Sequence, residues 1–478
     1  MTASGRPSRV LVMVWDGMRP DLISPELTPR LAALGASGVV FDDHHAVLPT
    51  VTRVNAANLA TGAPTATHGL PANTFFAPLV DASAPLSIGE GNNVAQLRAV
   101  YGVFQATTIS DVIRANGGRT AIVSSGTRGS AQMLHPRRAE VGDLILHPTL
   151  SSDEELRPAV ELLGPLPPAE VPDTARNRWL ARAIAEVVLP TYRPELLYFW
   201  HDDPDKSQHK FGFGHPLSLR AIREADEHLG IVLDGLDAAG LREETLVVVA
   251  SDHGYVQIRD RLDLSPLRAA LGDETGLVVA PNGCAVLLYL DRHDDRSVAR
   301  VVVEARKVAG VEVIFSGVRG GAVADGTFAL GEIGMDGPLA PDLLLTLVWS
   351  DDHGEHGHRG VGYELGGNQG NHGGGSSWEI HNTLIAHGPG VSSGGRVGSP
   401  TGVGDLAPTI LTALGLPIPT SMTGRVLREA LARSDTTHGT GDSGALPAAQ
   451  RWTQTTDAGS LRWSSFGGRR YLDSARFR

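Results

Sequence analysis

Several apolar runs rich in β-branched residues stop abruptly at side chains that can bind metals or anions, and this pattern most constrains what the chain can fold into. Val10 to Trp15 ends at Asp16-Gly17, and Leu246 to Ala250 ends at Ser251-Asp252-His253-Gly254. Leu196 to Trp200 ends at His201-Asp202-Asp203, and Arg119 to Ser124 itself ends in a serine. Uniformly apolar runs of this length fit strands covered on both faces, as in parallel sheets. Helical segments precede them, and Thr28-Pro29 caps a helix that closes at Gly35 and Gly38. Strands alternating with helices predict an α/β fold, whose ligands bind beyond the carboxyl ends of the strands.

The rhythm divides the chain. A first core part covers residues 1–257, and a smaller inserted α/β unit covers 258–340, with short strands at Ala285 to Leu290 and Val311 to Phe315. The core resumes over 341–433 with a strand at Leu343 to Val348, a Gly/His-rich loop from Ser350 to Ser377, a strand at Asn382 to Ala386 and a helix at Asp405 to Leu414. Residues 434–478 read as a loose linker followed by a hairpin near Leu461 to Tyr471.

Composition excludes some functions. No apolar stretch approaches the roughly 20 residues that span a bilayer. A net charge of −12 argues against binding a nucleic-acid polymer, while small phosphorylated ligands stay open. The Val10 to Trp15 run ends too early for a secretory h-region, and the single cysteine, Cys284, permits no internal disulfide; together they lead to the expectation of a cytoplasmic protein. Cys284 reads as a core residue. Self-association is left open.

Six places offer ligands for a pair of divalent ions: Asp16, Thr52, Asp205, His209, the adjacent Asp252 and His253, and His372. Carboxylates and imidazoles are standard zinc donors. Asp205 and His209 stand at i and i+4, on one face of a helical turn. Thr52 precedes the helical stretch Ala56 to Leu59, where a helix dipole would favour an alkoxide. Asn73 lies on a segment able to fold back and offer its amide to a phosphoryl oxygen.

In these residues the chain resembles the alkaline phosphatase superfamily, and within it the nucleotide pyrophosphatase/type I phosphodiesterase branch. The pieces stand in the family's order: Asp16-Gly17, Pro49-Thr-Val-Thr52, Thr61-Gly62, His68-Gly69, Asn73, Pro204-Asp-Lys-Ser-Gln-His209, Ser251-Asp-His-Gly254 and Asn371-His-Gly373. The resemblance implies an alkaline-phosphatase-like three-layer sandwich with a mostly parallel central sheet. It implies two zinc ions, one on Asp205, His209 and His372, the other on Asp16, Thr52, Asp252 and His253. It further implies cleavage of phosphate diesters or pyrophosphates through a phosphoryl-threonine intermediate, with two-metal in-line displacement. Phosphomonoesterase and phosphonate hydrolase of the same superfamily are the alternatives among enzymes, and a noncatalytic scaffold of the same fold is the alternative outside the enzyme class.

Arg53 and Val54 depart from the family's diesterases, which carry an aromatic residue and a proline after the nucleophile. Arg53 is either a substrate-binding group that grips extra phosphate charge or a salt-bridged surface residue. Asp202 and Asp203 are candidates for orienting ligand imidazoles. Asp352-His353 with His356 and His358 is a competing metal cluster, and Ser124 to Ser130 with Arg128 is either an anion nest or a glycine turn. His44, His45, His135, His147, His215 and His438 receive no role.

Overall fold

A computed structural model describes residues 5–89, 93–272, 276–291, 294–318, 322–431 and 448–477. Its centre is an eight-stranded sheet in the order Gly395–Val397, Val39–Phe41, Leu384–His387, Thr245–Ala250, Arg9–Trp15, Leu196–His201, Thr120–Ser124 and Leu144–Leu146. Leu384–His387 runs antiparallel to both of its neighbours, and the other pairs are parallel. The expected three-layer α/β arrangement is therefore present.

The central strand shows why. Val10, Val12 and Val14 pack into one buried cluster, while Leu11, Met13 and Trp15 pack into another on the opposite face. Alternate side chains of a strand point to opposite faces, so an unbroken apolar run is required. Each fully buried Val or Leu contributes roughly 1.5–3 kcal/mol. One face is covered by helices that include Thr52–Thr61, the other by helices that include Thr174–Ala183 and Pro216–Ala238.

The smaller unit differs from the sequence reading at its end. Its five-stranded sheet has the order Val278–Asn282, Ala285–Tyr289, Leu343–Leu347, Val311–Ser316 and Phe328–Ala329. Leu343–Leu347 thus belongs to the insert, antiparallel to Ala285–Tyr289 and Val311–Ser316, and not to the resumed core. An apolar run looks the same in either sheet; only long-range pairing decides.

The Ser350 to Ser377 segment is also more than a loop. Trp349–His353 and Arg359–Glu364 pair with each other, and Arg359–Glu364 pairs with Val256–Arg261, which in turn pairs with Gly370–Asn371. The C-terminal hairpin is a three-stranded sheet of Gln450–Thr456, Gly459–Phe466 and Arg469–Arg476. Of the expected linker, Ser434 to Ala448, only Ala448 is among the described residues, and His438 lies outside them.

Candidate active site

Three neighbouring strands of the central sheet deliver the carboxylates. Asp16 follows Arg9–Trp15, Asp205 opens the helix Asp205–Phe211 just beyond Leu196–His201, and Asp252 follows Thr245–Ala250. The Asp205 amide donates to the Asp16 carbonyl at 3.0 Å, tying two of these loops together. Gly17 has φ +70° and donates its amide to Asp252 Oδ1 at 3.1 Å. A Cβ there would stand 3.0 Å from the Tyr255 ring, so glycine is needed for both conformation and space.

The imidazoles complete two clusters. His209 and His372 place Nε2 at 3.2 Å and 3.3 Å from Asp205 Oδ1. His253 places Nε2 at 3.2 Å from Asp252 Oδ2 and 3.4 Å from Asp16 Oδ1. Ligand atoms of Asp205, His209 and His372 lie within 4.8 Å of one another, as do those of Asp16, Asp205 and His253. The His253 and His372 rings stack with centroids 3.6 Å apart, which joins the clusters. Thr52 begins the helix Thr52–Thr61 and sets its Oγ1 3.3 Å from His253 Nε2. All seven residues predicted as ligands are therefore brought to one place.

Every one of these histidines is oriented by a backbone carbonyl. His372 Nδ1 lies 2.7 Å from Thr50 O, His209 Nδ1 3.0 Å from Gly370 O and His253 Nδ1 3.0 Å from Gly254 O. A carbonyl only accepts, so Nδ1 carries the proton and Nε2 turns its lone pair inward. This corrects the expectation for Asp202 and Asp203. Asp202 accepts from Ser125, Asn177 and Lys206, and Asp203 accepts from Ser207 and Asp173, with no imidazole among their side-chain partners here.

The donor set fits divalent cations. Among the described residues, Asp16 Oδ1, Asp205 Oδ1 and Asp252 Oδ2 are buried without a hydrogen-bond partner, facing imidazole lone pairs. Burial, then repulsion from Asp252 and Asp205, pushes the Asp16 pKa well above the carboxylate range. Burial pushes Asp252 up to about 8. Burial likewise drives His253 well below its usual value, with His372 adding to the effect. Acceptors without enough positive charge are what a cation site looks like from the protein side. Three carboxylates and a threonine alkoxide would neutralise two divalent ions.

Asn73 closes one side. Its Oδ1 accepts the Arg53 amide at 3.0 Å, and both its own amide and that of Thr74 donate to Asn282 Oδ1 at 3.0 Å. Arg53 Nη2 donates to Thr127 Oγ1 at 3.0 Å, and its charge reaches Asp16, where it opposes in small part the rise that burial imposes on that carboxylate. Asn282, Tyr255 and Trp200 escaped the sequence reading. Asn282 comes from the inserted unit, Tyr255 donates to Asp205 O at 3.1 Å, and Trp200 Nε1 donates to Asp16 Oδ2 at 2.9 Å. Trp200 carried a signal, a polar-tipped aromatic at the end of a buried strand next to the site.

The competing cluster does not form. Residues Asp351 to His353 are exposed, and Asp352 pairs with Arg259 at 2.7 Å. Ser124 to Ser130 is neither a nest nor a plain glycine turn: Thr127 caps the short helix Arg128–Leu134 by accepting from Ser130 N, and Arg128 donates to Thr149 O. Cys284 is buried and free.

Residues 10–325 match the family described as type I phosphodiesterase / nucleotide pyrophosphatase. The chain is 25% identical over 269 residues to bis(5'-adenosyl)-triphosphatase ENPP4 of Bos taurus, covering 55% of this chain and 51% of that protein. It is 23% identical over 269 residues to venom phosphodiesterase 2 of Crotalus adamanteus, covering 54% and 28%. The chain thus spans about half, or less, of the length of these relatives. Murine ectonucleotide pyrophosphatase/phosphodiesterase 5, solved in an inactive form with AMP, superposes with a TM-score of 0.63 at 17% identity, covering 89% of this chain and 100% of that one. At that identity the likeness concerns the fold.

Proposed function

Because the chain belongs to the type I phosphodiesterase / nucleotide pyrophosphatase family, we propose that it hydrolyses phosphodiester or pyrophosphate bonds in small nucleotide-like molecules, with Thr52 as nucleophile. The observation that carries this reading is the Thr52 hydroxyl, 3.3 Å from His253 Nε2 at the first turn of a buried helix, beside carboxylate oxygens short of positive charge.

Two divalent cations, assigned as Zn2+, would be held by Asp205, His209 and His372 and by Asp16, Thr52, Asp252 and His253. When bound they supply Lewis acidity toward phosphoryl oxygens and lower the pKa of a neighbouring hydroxyl. The helix dipole at Thr52 acts in the same direction. Thr52 Oγ1 forms a bond to phosphorus as the bond to the departing alcohol or phosphate breaks. Water then attacks phosphorus from the opposite side, and Thr52 is restored, one water being consumed per turnover. Asn73 Nδ2, turned away from the Arg53 amide that Oδ1 accepts, is the donor for a nonbridging oxygen.

Arg53 favours a second reading within the same chemistry. A guanidinium whose field reaches Asp16 adds positive charge near the phosphoryl site, which suits pyrophosphates or monoesters. Turnover of bis-p-nitrophenyl phosphate and p-nitrophenyl phosphate, with and without chelator, tests both. Chelator-sensitive hydrolysis of either is the expected result, and its ratio ranks the two readings. No metal-dependent turnover of either compound would leave the noncatalytic scaffold.

A further inference from the structure

We propose that Asp43, His45, His381 and Asp473 form a third divalent-cation site, of the closed zinc type, that fastens the C-terminal sheet to the catalytic core. Their ligand atoms lie within 4.8 Å of one another. His381 Nε2 is 3.1 Å and His45 Nε2 3.5 Å from Asp43 Oδ1, and His45 Nε2 is 2.8 Å from Asp473 Oδ1. A tetrahedral ion with ligand bonds of about 2.0–2.1 Å sets its donors about 3.3 Å apart. The three spacings of 2.8, 3.1 and 3.5 Å bracket that value.

The imidazoles are oriented as in the active site, by backbone carbonyls. His45 Nδ1 lies 2.8 Å from Thr401 O, and His381 Nδ1 lies 2.9 Å from Ser377 O. Each ring therefore donates from Nδ1 and, when neutral, aims an Nε2 lone pair at carboxylate oxygens. Acceptors facing acceptors need a cation or extra protons between them. Arg451 Nη2 holds Asp43 from behind, donating to Oδ2 at 2.6 Å, and Ser464 Oγ donates at 3.0 Å to Asp473 Oδ1, the oxygen that also faces His45. Two imidazoles and two carboxylates suit zinc better than calcium or magnesium, which prefer all-oxygen sets.

The four residues come from three separate places. Asp43 immediately precedes the His44–His45 strand and His45 ends it, His381 follows the Ser377–Ile380 helix, and Asp473 lies in Arg469–Arg476. Four protein donors leave no open position, so the role is structural. His45 is 2% exposed, whereas His381 at 28% and Asp473 at 17% leave an ion a way in. Protonated imidazoles would satisfy the same contacts without an ion, and a metal count separates the two.

The full-length chain, stripped of metal, re-equilibrated with excess Zn2+ and desalted at micromolar concentration, is analysed by inductively coupled plasma mass spectrometry. Asp473→Asn and His381→Ala are each expected to hold one equivalent less than the parent. Equal counts in folded variants would overturn the proposal. Should the variants fail to fold, zinc-edge anomalous diffraction from the zinc-soaked parent decides. A peak among these four side chains supports the site, and its absence overturns it. Peaks at Asp205 or Asp16 report on the active site separately, so neither reading can stand in for the other.

Discussion

The Nδ1 of His372 lies 2.7 Å from the carbonyl oxygen of Thr50, so the last candidate ligand of the active site is aimed by the segment that presents the nucleophile. Thr50 Oγ1 also accepts the Gly373 amide at 3.0 Å and donates to Gly374 O at 2.9 Å. Ligand and nucleophile are thereby built as one unit, although 320 positions separate Thr52 from His372.

Replacing Thr52 by alanine removes the attacking oxygen while leaving the buried helix intact. Steady-state assays on the better p-nitrophenyl substrate are expected to show a loss of at least about 10^3-fold in kcat. Far-ultraviolet circular dichroism should be unchanged, and Thr52→Ser should recover part of the rate. Near-parental turnover in Thr52→Ala would remove the nucleophile assignment.

Removing one imidazole from the Asp205 cluster should show in metal content before it shows in fold. His372→Ala is expected to lose about one zinc per chain, counted by mass spectrometry, with kcat down at least about 100-fold. Chelation of the parent should silence it, and added Zn2+ should restore it. Full zinc occupancy in His372→Ala would contradict the ligand set.

Asn73 and Asn282 separate contact from positioning. Asn73→Ala is expected to lower kcat by about 10^2-fold to 10^3-fold with KM changed little, as for loss of one transition-state donor. Asn282→Ala frees the two amides at positions 73 and 74 and should give a smaller loss in the same parameter. A change confined to KM in both variants would assign this edge to ground-state binding.

Arg53→Ala tests substrate charge preference. The ratio of kcat/KM for monoester over diester is expected to fall by about tenfold, the effect of about 1.4 kcal/mol of charge-assisted binding. An unchanged ratio would place Arg53 in a structural role with Thr127.

Glu312 offers a pH test away from the active site. Burial raises its pKa from 4.5 to about 7, against the lowering effect of the Phe477 amide and Arg476. Below about pH 4.5 both folded and unfolded chains hold the proton, so there is no cost. Between about 4.5 and 7 the unfolded chain releases it first, and stability falls; above that the cost is constant. Glu312→Gln keeps an acceptor for the Phe477 amide and should raise the unfolding free energy by about 1–3 kcal/mol at pH 8, with little effect at pH 4.5. Urea titrations at the two pH values give the comparison, and equal shifts at both would refute the assignment.

Much of the candidate site was legible because its chemistry sits at chain punctuation. Asp16, Asp205 and Asp252 stand just beyond buried strands, and a two-sided core forces those strands to be uniformly apolar. Thr52 was visible as a hydroxyl at a helix start. Leu343–Leu347 was misplaced because an apolar run carries no label for the sheet it joins. Asp202 and Asp203 were misread because backbone carbonyls, which every residue has, orient the imidazoles instead.

His45 received no role from sequence, since neither its neighbours nor its spacing mark it; Asp473, the partner that gives it meaning, arrives 428 residues later. The sequence alone determined the α/β class, the strand ends and the kinds of side chain placed there, because those depend on local periodicity and residue chemistry. Only the tertiary structure decided which carbonyl aims each imidazole, that Asn282 of the insert braces Asn73, and that Asp43, His45, His381 and Asp473 meet. Those are long-range contacts, fixed by how sheets pair and pack, and no local pattern in the chain encodes them.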